Sequence, residues 1–287
     1  MPPARSGVEV RRPLGAVSRG QLRSRLMTTL AKYIDAHRLA YAEVNELIAG
    51  LDAEQLAGRS LCPDWTHQQC IAHAVGVDKV LTGWAPDPEN LFDFGEIGAF
   101  MEEVGSAAPA DFRAAIADTT SARLAELEGM DPSIVDEPSM TPVGPQAYGN
   151  FLQIRVFDVW VHARDVAIPL GVELPDGGLH AEMALNEVHR SMGYIAGKKV
   201  GLEDGMSMTV NVTGGAARTI HVAVDGRAGL VDSLTDPSVT LTADTETFIM
   251  LACGRVDPQE RIDAGRIAWS GDADWGDTAA RNLRFTM

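Results

Sequence analysis

Apolar residues recur at helical spacing near the start of the chain. Seven positions lie alternately four and three residues apart, namely Leu30, Ile34, His37, Tyr41, Val44, Ile48 and Leu51. This stripe predicts an amphipathic helix that begins near Met27. Further helical patterns cover residues 111–127 and 148–168, with long Pro/Gly-rich connections between the elements. Together with the helix described next, they predict a four-helix bundle.

The second helix of this bundle has a recognisable start. It follows the sequence Cys62-Pro63-Asp64-Trp65, and Thr66 and Gln69 have the spacing of a capping box. In a capping box, each of the two side chains satisfies a free backbone amide at the start of a helix. We therefore expect this helix to begin just after Trp65.

The second half of the chain changes to a period of two. Met206, Met208, Val210 and Val212 alternate with polar residues, and the pattern recurs at residues 220–224 and 239–241. These segments predict strands with one solvated face, accompanied by helices over 179–197, 246–253 and 274–283. The sequence thus predicts a helical domain over residues 27–170 and a smaller α+β domain over residues 179–287.

Composition narrows the class of protein. The chain has 287 residues, 45% of them hydrophobic, and a formal net charge of −16, which argues against a general nucleic-acid or anionic-membrane binder. We find no secretory signal and no apolar run long enough to span a membrane. Three cysteines form no even framework, so we expect a reducing, cytoplasmic setting. We also expect a monomer or homodimer. Residues 1–26 hold six arginines against one acid and predict a disordered basic tail, or an over-long gene start with Met27 as initiator.

The last predicted helix of the bundle carries the candidate chemistry. Its wheel has two apolar sides, one through Val159 and Ala163 and another through Trp160 and Val161, so the helix is expected to be largely buried. A polar stripe nevertheless runs along it through Arg155, Asp158, His162 and Asp165. Buried ionisable groups must be paired or bound to a metal.

Spacing within this stripe suggests a metal site. Asp158 and His162 lie four residues apart, so both side chains point the same way from adjacent turns. His73, on the apolar face of the second helix, is the best third ligand, and the set would leave zinc with open coordination positions. Asp165 could accept the other imidazole N–H of His162 and fix its orientation.

Simpler interpretations remain for several of these residues. A lone core histidine is commonly just hydrogen-bonded, and Asp158 with His162 could be a helix-stabilising pair. Cys70 and His73, three residues apart, could form a thiolate–imidazole pair, although a small buried cysteine is the commoner role. His37 could line the same cavity or serve only in packing.

Two motifs resemble a known family. The run Cys62-Pro63-Asp64-Trp65-Thr66 followed by Ile71-Ala72-His73, and the run from Arg155 to Val166, resemble two signatures of the mycothiol-dependent maleylpyruvate isomerase family. The resemblance covers residues 28–287. It implies a DinB-like four-helix metal-binding domain followed by a sterol-carrier-like α+β domain, with His73, Asp158 and His162 as zinc ligands.

The same resemblance implies a chemistry. Such a protein would bind zinc or another divalent metal, with mycothiol as thiol cofactor, and would isomerise or conjugate a small electrophile. Two departures from the family pattern are Asp158 where glutamate is usual and Asp64 where glycine is usual. The shorter Asp158 requires a closer approach of the helix to the ion, or a bridging water.

Beyond the metal site we assign no catalytic residue. Arg155, Arg164 and Arg255, and less strongly Arg284, are candidates to bind a substrate carboxylate, although Arg155 and Arg164 could equally form ion pairs with Asp158 or Asp165. Two other functions fit the same residues. Two histidines and one carboxylate also suit an iron(II) enzyme that uses oxygen. The protein could also be a non-catalytic binder of a metal or ligand.

Overall fold

A computed structural model describes the backbone of residues 19–286 and the side chains from residue 29 onward. The helices are α1 (Arg19–Ala49), α2 (Ala53–Ala57), α3 (His67–Leu81), α4 (Phe94–Val104), α5 (Pro109–Gly129), α6 (Tyr148–Leu170), α7 (Leu179–Tyr194), α8 (Thr245–Ala252), α9 (Pro258–Asp263) and α10 (Ala273–Arg281). The strands are β1 (Pro138–Thr141), β2 (Gly144–Ala147), β3 (Ser207–Thr213), β4 (Arg218–Asp225), β5 (Arg227–Val231), β6 (Val239–Asp244) and β7 (Ile267–Gly271).

The first half of the described chain is helical, as predicted. Helices α1, α3, α5 and α6 pack against one another, and α4 covers α3. The predicted stripe of α1 is buried almost throughout and contributes Tyr41, Val44 and Ile48 to the core shared with α3 and α6. Helix α1 begins at Arg19, earlier than the predicted Met27. The tail prediction for the first 18 residues lies outside the described part of the chain.

The second half is a five-stranded mixed sheet with helices against it. The strand order is β5-β4-β3-β6-β7, with β3 and β6 parallel and the other neighbours antiparallel. Val210 of β3 stands opposite Ile220 of β4 and Leu241 of β6, and all three are buried. Helices α7, α8 and α10 contact the sheet or each other. The predicted order, a helical bundle followed by a smaller α+β domain, is confirmed.

Helix α6 belongs to both halves, which explains its two apolar sides. Val159 and Ala163 lie in the core of the helical half, whereas Trp160 and Val161 lie in the core of the α+β half. Helix α7 packs along α6 as well as along α1. The side chains of the polar stripe therefore lie on a helix that is enclosed by packing on both sides.

None of the helices in the described residues has the length and apolar character that a membrane span requires.

His37 is a buried core residue and lines neither of the clefts described below. Its Nδ1 lies 2.8 Å from the carbonyl oxygen of Tyr33, and its ring contacts Tyr41 edge-on. Burial lowers the pKa of His37 to about 4. The packing interpretation of this histidine therefore fits the structure.

The low pKa of His37 should make stability depend on pH. Between pH 6.5, the ordinary pKa of histidine, and about pH 4, the unfolded chain binds a proton that the folded chain does not. As pH falls through this range, His37 therefore lowers the free energy of unfolding by about 3 kcal/mol. We expect His37→Phe to flatten the fall of unfolding free energy over this range, measured by urea titration of metal-free protein. Above pH 7 the two curves should run parallel. An equal decline in both proteins below pH 6 would contradict the prediction.

Candidate metal centre

The connection before α3 is a tight turn fixed on α6. The amide of Trp65 donates to the carbonyl of Cys62 at 2.9 Å, and the amide of Leu61 donates to the carbonyl of Asp165 at 2.9 Å. Asp64, where the family pattern has glycine, lies in this turn without a positive φ angle. An ordinary L-residue therefore fits there without backbone strain.

Helix α3 begins as predicted. Thr66 is its N-cap, and Thr66 and Gln69 form the complete capping box. The helix start is thereby fixed next to the turn on α6. Two turns into the helix, the ring of His73 lies between the indole of Trp65, at a centroid distance of 4.3 Å, and the ring of His162, at 5.3 Å.

The three predicted ligands are neighbours, although their ligand atoms do not all lie within 4.8 Å of one another. Nε2 of His162 lies 3.5 Å from Oδ1 of Asp158, and the perpendicular ring of His73 faces His162. Zinc binds imidazole nitrogens at about 2.0–2.1 Å, so rings at this separation can reach one ion. Among the described residues, no side chain or backbone group forms a hydrogen bond to the ring nitrogens of His73.

The electrostatics of the three residues suit a cation. Burial lowers the pKa of His73 to about 4, so its imidazole is neutral and able to act as a ligand at pH 7. Burial opposes the charge of Asp158, but His162 and the guanidinium of Arg155 outweigh it and lower its pKa. Burial also opposes protonation of His162, yet Cys70 and the carboxylates of Asp158 and Asp165 raise its pKa, so metal binding there would release a proton.

The contact predicted for Asp165 is present. Its Oδ2 lies 2.8 Å from Nδ1 of His162, on the side of the ring away from Asp158. Such a carboxylate fixes the orientation of a ligating histidine and its tautomer. Arg255, from the connection between α8 and α9, lies with Nε 3.2 Å from the same oxygen.

Two cysteines form a second cluster with the far side of His162. One ligand atom from each of Cys62, Cys70, His162 and Asp165 lies within 4.8 Å of the others, a tighter set than the three residues above, and all four residues are buried. Sγ of Cys70 lies 3.5 Å from Nδ1 of His162, and a hydrogen bond with Cys70 lowers the pKa of Cys62. Cys70 therefore contacts the imidazole of His162, whereas the sequence spacing had suggested a pair between Cys70 and His73.

Four arginines were predicted to bind a substrate carboxylate. One of them, Arg155, instead forms ion pairs with carboxylates of the protein. Its guanidinium contacts Asp78 through Nε and Nη2, at 3.2 and 3.0 Å, and donates to Asp158 at 2.6 Å and to the carbonyl of Ala74 at 2.6 Å. The ion pair with Asp158 was one of the two predicted roles. Asp78 was not predicted, although an aspartate on the inner side of α3 is itself an unusual feature that could have identified it.

Arg164 lies away from the candidate centre. It is fully buried, pairs with Glu43, donates to the carbonyl of Pro175 and stacks on the ring of Trp160 at 3.6 Å. It pairs with neither Asp158 nor Asp165, so both roles suggested by the sequence are corrected. The reason is that its position on α6 faces α1 and the α6–α7 connection. Arg284 donates to the carbonyl of Thr286 near the end of the chain and lines neither cleft.

Two clefts open on either side of His73 and Asp158. The polar cleft, about 400 Å³, also includes the turn from Cys62 to Trp65, His162 and Arg255. The aromatic cleft, about 370 Å³, extends instead between α3, α4 and α6. Its apolar walls include Phe92, Phe94, Ile97, Met101, Phe151 and Phe157. A metal bound by the three residues would therefore be accessible from both clefts.

Family models match most of the chain. The model described as the mycothiol maleylpyruvate isomerase N-terminal domain matches residues 37–167, and the MDMPI C-terminal domain model matches residues 182–280. A crystal structure of the mycothiol-dependent maleylpyruvate isomerase has a TM-score of 0.60 at 16% identity, with 89% of this chain and 97% of the other covered. A mutant of that enzyme gives a TM-score of 0.59 at 15% identity over the same shares. These structures establish the similarity of fold.

Curated relatives cover less of the molecule. Uncharacterized proteins from two strains of Mycobacterium tuberculosis are 28% identical over 136 residues. The alignment spans 47% of this chain and 66% of the length of each relative.

Proposed function

Because this chain belongs to the mycothiol-dependent maleylpyruvate isomerase family, we propose that it is a metal-dependent enzyme that uses mycothiol to isomerise or conjugate a small electrophile. Its ligands would be His73, Asp158 and His162, and the metal zinc or another divalent ion. We also propose a cytoplasmic location, as the sequence predicts.

The observation that carries this proposal is the convergence of three side chains from two helices beside two clefts. The neutral ring of His73 has no other polar partner in the described part of the chain, and Asp158 keeps one oxygen toward His162. Two imidazoles and one carboxylate form a zinc site that leaves positions for an external ligand. A divalent ion bound there would lower the pKa of a coordinated thiol, so that the thiolate is present at neutral pH.

The protein's own side chains would maintain this arrangement. Asp165 orients His162, Arg155 holds Asp158 against rotation, and the indole of Trp65 covers one face of His73. Among the described residues that line the polar cleft, Arg255 is the only arginine or lysine, and it could bind an anionic group of the thiol or substrate.

The two reactions share their first step. The thiolate sulfur would use an electron pair to form a C–S bond with a carbon of a double bond conjugated to a carbonyl, and the π electrons of that double bond would move onto the carbonyl as an enolate. If the enolate expels the thiolate after rotation about the resulting single bond, the thiolate is regenerated and the substrate is isomerised. If the enolate instead takes a proton, the product is a thioether conjugate. Both outcomes need a binding site for the thiol and one for the electrophile.

The cysteine cluster supports a second candidate, a non-catalytic metal-binding protein. Cys62, Cys70, Nδ1 of His162 and Asp165 could enclose a structural ion, because four protein ligands leave no open position. A catalytic metal needs an open position beside a cleft, and His73 and Asp158 line both clefts. We therefore propose the catalytic metal on the Nε2 side of His162.

Metal content and thiol binding test the proposal together. We expect the purified protein to hold about one divalent ion per chain, and calorimetric titration to detect mycothiol binding to the zinc-loaded protein. Metal-free protein should bind mycothiol at least about tenfold more weakly, and glutathione should bind weakly to both forms. Mycothiol affinity that does not change on removal of zinc would refute the proposed role of the metal. Oxygen uptake by iron-loaded protein would favour oxygen chemistry at the same residues.

A further inference from the structure

We propose that the electrophile of this enzyme is an uncharged aromatic or alkyl compound bound in the aromatic cleft, with the thiol in the polar cleft. This inference rests on the proposed function and specifies the substrate class. Both clefts are lined by His73 and Asp158, so compounds in the two clefts would meet at the candidate metal centre.

The walls of the aromatic cleft fit a flat apolar group. The rings of Phe92 and Phe151 lie nearly parallel with centroids 6.0 Å apart, and Phe94 contacts Phe92 at 5.1 Å. Phe94 is 58% exposed at this cleft. A large aromatic side chain gains little by facing water, and exposed apolar surface beside a candidate active site is typical of a ligand site.

The charges of this cleft disfavour a carboxylate. Among the described residues that line this cleft, Arg155 is the only lysine or arginine. Its guanidinium already forms hydrogen bonds with Asp78 and Asp158. Maleylpyruvate carries two carboxylates, and a carboxylate bound along the apolar walls of this cleft, away from the metal, would have no cationic partner. Arg255 does not supply such a partner, because it lies in the polar cleft beside Asp165.

A matched pair of probes tests this preference. Benzylideneacetone is an uncharged aromatic enone, and its para-carboxylate adds one negative charge far from the reacting carbon. In either compound, the thiolate of mycothiol would form a C–S bond at the β-carbon, and the resulting enolate would take a proton from water. The thiol is thus added across the double bond, and no oxidant or reductant is needed.

We expect the zinc-loaded enzyme to favour the uncharged compound by at least about tenfold in kcat/KM, after correction for the uncatalysed rates. Phe94→Lys should reduce this ratio by about tenfold, because it places a cation at the cleft. Because Phe94 is exposed, we expect this variant to fold. Tyr194→Ala removes an aromatic residue of similar exposure outside the cleft and should leave the ratio unchanged.

Binding of an unreactive analogue separates this inference from the proposed function. Benzylacetone, the saturated form of the enone, should bind wild-type protein more tightly than its para-carboxylate in ligand-observed NMR, with or without zinc, and Phe94→Lys should narrow the difference. Equal affinities, or a preference for the carboxylate, would overturn the inference even if zinc and mycothiol bind as proposed. Conversely, selective binding of benzylacetone without thiol-dependent turnover would leave the cleft assignment standing and reject the enzyme.

Discussion

Replacing His73 by alanine is expected to remove the divalent metal and thiol-dependent turnover together. The variant would leave Asp158 and His162 as two protein ligands, too few for stable zinc binding at a catalytic site. Loss of an outer partner that orients a ligand costs about 10–100-fold in metal affinity, so loss of a ligand should cost more. Metal content after gel filtration and zinc affinity against a competing chelator would measure the effect. His162→Ala should have the same result.

Cys70→Ala is the informative control, because it distinguishes the two candidate metal sets. Cys70 contacts Nδ1 of His162 but lies outside the set of His73, Asp158 and His162. If those three residues bind the ion, Cys70→Ala retains it. If the cysteine cluster binds it, Cys70→Ala loses the ion and His73→Ala retains it, and our assignment is wrong. His221→Ala, on β4 and outside both clefts, controls for the loss of any histidine.

Replacing Asp78 by alanine should lower the free energy of unfolding by about 3–5 kcal/mol. Asp78 is fully buried and makes two contacts with the guanidinium of Arg155, which is itself buried. Removing Asp78 leaves the buried guanidinium with Asp158 as its remaining carboxylate and with unpaired N–H groups, and that cost exceeds the net value of the intact pair. Urea unfolding monitored by circular dichroism would provide the measurement.

Two comparisons make this result specific to the buried pair. Glu128→Gln breaks the exposed pair with Arg38 and should cost less than about 1 kcal/mol. The double variant Asp78→Leu with Arg155→Met removes both buried charges and should recover much of the loss. A double variant as unstable as Asp78→Ala alone would show that uncompensated charge is not the cause.

The helices were predictable because most of the helical half follows a simple periodic pattern. The stripe from Leu30 to Leu51 matches the buried face of α1, and the capping box marks the start of α3. Strands β5 and β7 escaped prediction because they form the edges of the sheet. β5 has no fully buried residue and β7 has one, Ile267, so neither shows a clear alternation of polar and apolar positions. The β1–β2 hairpin was likewise missed within a Pro-rich connection.

Part of the candidate metal centre was also predictable from the sequence, and part was not. Asp158, His162 and Asp165 share one helix, so spacing alone places them together. The approach of Cys62 to Asp165, and of Asp78 to Arg155, depends on how α3 and the preceding turn pack on α6. Those contacts join residues about 80 to 100 positions apart, and one sequence contains no periodic signal for them.

The position of α6 in two cores has a consequence for how the molecule can be divided. Cutting the chain between α6 and α7 would uncover Trp160 and Val161, and it would separate Arg255 from Asp165. The two regions matched by the family models are therefore not expected to be stable as separate domains. The helical half is better regarded as one part of the candidate site, to which the sheet domain contributes Arg255.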